Sequence, residues 1–112
     1  MTLHKDQLFN DGVTPVTADG QSSGLVVGPG EYDIAVIAQA VSGTTPTMDI
    51  KVQESDDGST WVDLAVFPQM TAKGEWHRKV KTEKERLRLD YNAGGTTPSF
   101  TLIAGITEGA IP

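Results

Sequence analysis

Cysteine is absent from this chain, and its absence excludes disulfides, thiolate metal sites and a cysteine nucleophile. Histidine is nearly absent too: His4 and His77 stand far apart, with no spacing of ligands that would close a metal site around either. No apolar run approaches the ~20 residues that a membrane helix needs. The opening MTLHKDQLFNDG has neither the apolar stretch nor the small-residue cleavage site of a signal peptide, so cytoplasmic synthesis is expected. No G-x-S-x-G elbow and no phosphate-cradling loop occurs, and no pair of its fifteen acids is marked out as a catalytic couple. An enzyme is not expected, and no cofactor is implied.

What is present is alternation. Hydrophobic residues make up 38% of 112 residues, enough for one domain with a real core. In TMDIKVQE, Met48, Ile50 and Val52 fall on one face and Asp49, Lys51 and Gln53 on the other. In EYDIAVIAQAV the same period holds, with Ile37 breaking the polar face. ERLRLDY and SFTLIAGI repeat the pattern, the latter with Ile103 among the polar positions, and EWHRKVK sets Trp76 and Val80 together. WVDLAVF is apolar on both faces, which suggests a central strand or a bulge. Short turns rich in Gly, Pro, Asp and Ser separate these runs. The expectation is an all-β fold: one antiparallel β-sandwich or jelly-roll-like barrel of about seven or eight strands.

Residues 1–20 do not share this pattern. Gly12, Pro15 and Gly20 interrupt scattered apolar residues, so the segment reads as an extended arm in front of a domain over 21–112. Such an arm is either frayed or docks Leu8 and Phe9 on a neighbouring subunit. The tetrapeptide GTTP occurs at 43–46 and again at 95–98. It reads as a turn feeding an outer strand, with a faded duplication as the other explanation.

Three stretches raise questions of function. SDDGSTW, residues 55–61, has the acids and glycine of a cation loop, with Asp56, Asp57 and Asp63 as possible ligands. With Gly58 at the sixth position of such a loop, Leu64 occupies the twelfth, where a bidentate glutamate belongs, so a hairpin turn is the better reading. Six of the nine cations lie between Arg78 and Arg88 on a chain of net charge −6, which reads as a basic hairpin on an acidic body. The overall acidity argues against nucleic acid, and the hairpin is either a solvated face or a contact with an acidic surface. Trp61 and Trp76 would form a sugar-stacking platform if adjacent and outward, but their apolar neighbours favour packing.

The block MDIKVQESDDGSTWVDL, followed by GEWHRKV and ERLRLDYNAGGTTPSFTLIAGI, resembles small virion proteins of tailed bacteriophages, above all capsid decoration or cement proteins. The likeness spans roughly residues 24–107. It implies a non-enzymatic structural protein that binds the outside of a bacteriophage capsid as a homodimer or homotrimer. The implied partners are itself and the major capsid protein, with no nucleic acid and no membrane. A tail or baseplate component and a carbohydrate-binding module are the alternatives. The candidate contact residues are Leu8 and Phe9 in the arm, and Arg78, Lys79, Lys81, Arg86 and Arg88 in the basic segment.

Overall fold

Period-2 alternation commits a chain to strands with one buried face, and a strand with one buried face needs a second layer to cover it. The computed structural model describes the backbone of residues 3–107 and the side chains of residues 8–107. It meets that need with seven antiparallel strands in one bent sheet: β1 (Leu3–Asp11), β2 (Gly20–Gln21), β3 (Leu25–Val26), β4 (Gly30–Ser55), β5 (Val62–Val66), β6 (Gly74–Thr82) and β7 (Arg86–Thr107). The side chain of His4 and the tail after Thr107 lie outside the described residues.

Two of these strands are very long, and they pair with each other from Ile34↔Ile106 to Ser55↔Arg86. The ribbon they form is bent in the middle. On one side of the bend, β6 and β1 flank it, through Gly30↔Thr82 to Ala38↔Gly74 and through Leu3↔Thr107 to Asp11↔Ile103. On the other side, β5 flanks β4 from Lys51↔Val66 to Glu54↔Val62, while β2 and β3 flank β7. Each half-sheet buries one face against the other. A single core therefore draws Ile34, Val36, Leu102 and Ile106 from one half and Ile50, Val52, Leu87 and Leu89 from the other. Across the seam, Thr82 Oγ1 donates to Glu54 Oε1 at 2.6 Å, and the Tyr91 hydroxyl donates to Asn10 Oδ1.

The bend is made by the two GTTP segments, which are not terminal turns as their composition suggests. They lie opposite each other in mid-strand, with Thr44↔Thr96 paired and the register slipping on both sides. Gly43 and Gly95 take φ of 113° and 96°, and Thr45 and Thr97 take 46° and 47°. A β-branched residue rarely enters this region. In both copies the threonine hydroxyl donates to the preceding carbonyl at 2.8 Å, Thr45 to Thr44 and Thr97 to Thr96. Glycine is required because a side chain on Gly43 would sit 2.6 Å from the Thr97 carbonyl, and one on Gly95 would meet the Thr45 carbonyl in return.

The N-terminal segment is corrected as well. Leu3–Asp11 is a paired strand of the sheet, and Phe9 is 7% exposed in the core. Gly12 and Pro15 lie in the loop after β1 and Gly20 opens β2, so none of the three falls within the first strand. WVDLAVF becomes the edge strand β5, not a central one, and the expected bulge is there, at Leu64, which has no partner between Ala65↔Val52 and Asp63↔Gln53.

Candidate interaction surface

The turn at 55–61 is built from its own side chains. Asp57 Oδ1 accepts the amides of Ser59 and Thr60 at 2.8 and 2.9 Å, and Ser55 Oγ accepts that of Gly58 at 2.9 Å. These hydrogen bonds to the ionised form lower the Asp57 carboxyl from 3.8 to about 2, the bond from Thr60 contributing most. Asp63 is held instead by Gln53 and Lys51, which lower its carboxyl too, and Asp56 lies 3.3 Å from Lys84 Nζ. Each of the three acids is thus directed to a different partner. Among the described residues no three acidic or histidine side chains gather in a way that holds a metal.

The basic segment is not a hairpin. β6 pairs with the first half of β4 and β7 begins in the opposite half-sheet, so the turn at 83–85 crosses between layers. Arg86 and Arg88 are occupied with the 55–61 turn. Arg86 Nη1 donates to the Asp56 carbonyl at 2.6 Å. Arg88 lies 4.4 Å from the Trp61 ring centre and donates through Nε to Gln53 at 2.8 Å. Lys79 and Lys81 face Asp33 and Glu31 across the strand pair, and Arg78 is exposed one position over. The seven candidates therefore separate. Phe9 is core, Arg86 and Arg88 brace a turn, Leu8, Lys79 and Lys81 remain on the outer face of one half-sheet, and Arg78 is exposed opposite Ile34 on the other face of β6.

The tryptophans do not form a platform. Trp61 packs over Gly24 under the Arg88 guanidinium, whereas Trp76 lies on β6 of the other half, against Gly74 and the core.

The outer faces of the two half-sheets are built differently. That of the second half links its polar side chains to one another, Lys51 to Asp63, Asp63 to Gln53, Gln53 to Arg88, and Gln21 to Asp90, with Val26 and Val66 exposed among them. The first half sets Ile37 directly opposite Ile103, next to the buried pair Ala35↔Gly105, with Leu8 opposite Gly105 on the other side. Ile37 and Ile103 are half-buried yet are not part of the core. Around them stand Asp11, Glu31, Asp33, Glu75, His77, Lys79 and Lys81. His77 lies 2.7 Å from Glu75 Oε2 and 3.8 Å from Asp33 Oδ2. The signal for this patch was in the sequence, since Ile37 and Ile103 are the two isoleucines that interrupt otherwise polar faces.

Compared with known proteins, the chain matches no family model and no curated protein. Among the described residues no helix is long and apolar enough to cross a membrane.

Proposed function

We propose that this protein is a non-enzymatic structural component of a bacteriophage virion, a decoration protein that binds the outside of the capsid as a homo-oligomer and stabilises the shell. The observation that carries this reading is the make-up of the first half-sheet's outer face. A face with an isoleucine pair at its centre and charges of both signs at its rim has the layout of a protein contact, an apolar centre within a polar border. The sequence resemblance supplies the virion and the capsid. Chemistry at the turn acids finds no support, because each is held by its own neighbours. The sugar-platform reading loses its basis once Arg88 covers Trp61.

In this role the rigid sandwich holds the contact face, and many copies acting together supply holding strength that one contact lacks. The test is solution mass by light scattering, at low and at high salt, for wild type and for Ile37→Lys and Ile103→Lys. The expected result is a discrete dimer or trimer that both substitutions reduce to monomer. An oligomer that survives both substitutions would remove this face from the assembly.

A further inference from the structure

Around the two bends the same backbone contacts recur, with one exception. Phe100 exchanges both of its backbone hydrogen bonds with Val16, at 2.8 and 3.0 Å. In the other bend Met48 does the same with Met70, at 2.9 Å each way. Three residues after Val16 comes Asp19, whose carboxylate accepts the Ala93 N–H at 2.8 Å. Three residues after Met70 comes Lys73, which has nothing to accept with.

Val41 is the counterpart of Ala93, two residues before its bend glycine, and it stands opposite Phe100 in the register as Ala93 stands opposite Met48. Phe100 turns its N–H and C=O away from β4 toward Val16, so this is a pair without mutual hydrogen bonds, and Val41 turns its own N–H and C=O the other way. On that side β6 has not yet begun: its first residue, Gly74, is opposite Ala38. In its place lies an open groove of about 600 Å³ whose lining includes Gln39, Val41, Ser42, Pro46, Ala72 and Lys73, with no carboxylate. A strand edge with an outward N–H, beside a lysine, is an acceptor site for an anion on a chain that is otherwise acidic.

We propose that this groove binds a carboxylate side chain on an extended segment of a partner protein, held by the Val41 N–H and the Lys73 ammonium as Asp19 is held by Ala93 in the other bend. The partner segment lies along the strand edge left by β6 and supplies in trans the acid that this bend lacks. Its chemistry is independent of the virion reading.

The experiment follows the Val41 amide by ¹⁵N NMR while a blocked tripeptide, acetyl-Val-Asp-Val-amide, is added, with the Asn peptide as control. The Val41 proton should move downfield and saturate, and the Asn peptide should bind at least about tenfold more weakly, since a charge-assisted bond is lost. Lys73→Asp should install the missing acceptor. Val41 hydrogen exchange should slow by about tenfold or more and the peptide response should vanish, while the Ala93 signal stays in place. Lys73→Ala, which leaves the groove open, should weaken the peptide response. Equal response to the two peptides, no response at Val41, or unchanged exchange in Lys73→Asp with an otherwise native spectrum would overturn the proposal. So would a Val41 shift that follows protein concentration alone, because the occupant would then be a second copy of the chain.

Discussion

Alanine at Gly43 should be among the most damaging single substitutions in this protein, although the residue is exposed and removes nothing from the core. Two costs add at this site. The backbone sits at φ 113°, where an L side chain costs about 1–2 kcal/mol. The new Cβ would also lie 2.6 Å from the Thr97 carbonyl and 2.9 Å from that of Thr96, and both are backbone atoms that move only if the paired strand moves. Overpacking of this kind costs about 1–3 kcal/mol. The sum is about 2–5 kcal/mol, or a fall in Tm of roughly 8–20 °C for a domain of this size. Two other glycines separate the contributions. Gly28 has φ 78° with nothing within 4 Å of a Cβ, so Gly28→Ala should cost only the backbone part, about 1–2 kcal/mol. Gly20 has open space and no positive φ, so Gly20→Ala should fall within about 0.5 kcal/mol of wild type. Urea unfolding followed by tryptophan fluorescence gives all three values. If Gly43→Ala lies within about 0.5 kcal/mol of Gly28→Ala, the close approach of the two bends is not what requires glycine there.

Other substitutions test the corrected elements. Phe9→Ala should lose about 3–5 kcal/mol in the same urea assay, because the ring is core; an arm outside the fold would lose almost nothing. The Asp57 carboxyl titrates near 2 when folded and at 3.8 ordinarily, so its contribution is present above pH 3.8 and is lost as pH falls toward 2. Melting curves across that window should decline less steeply for Asp57→Asn than for wild type; parallel curves would contradict the assigned hydrogen bonds. Arg88→Ala should shift the Trp61 emission to longer wavelength in a Trp76→Phe background and cost about 1–2 kcal/mol, through the lost cation–π contact and the bond to Gln53.

The core was legible because its signal is local. Met48, Ile50 and Val52, and Leu87 and Leu89, alternate with polar residues, and all are buried as the period requires. The bends were not legible, because a Gly-Thr-Thr-Pro segment between two alternating runs has the composition of a chain reversal. Only the pairing of one copy with the other turns both into a corner of a continuous ribbon. The basic hairpin failed for the same reason. Adjacent strands in sequence usually pair, but here the bent ribbon offers β6 and the start of β7 different halves of β4. At the candidate surface, Lys79 and Lys81 were visible as charge, while the acids they face, Asp33 and Glu31, came from about fifty residues away and appear only with the register. Phe9 was misplaced because the breakers at Gly12 and Pro15 obscured the strand in front of them.

The most direct test of the proposed function is the copy number of this protein in purified virions of the bacteriophage that the proposal requires, measured by quantitative mass spectrometry against the major capsid protein. A decoration protein gives a fixed ratio of one small whole number to another, and hundreds of copies per particle scale with the shell. Absence from washed virions, or a few copies that follow the tail proteins when heads and tails are separated, would contradict the account.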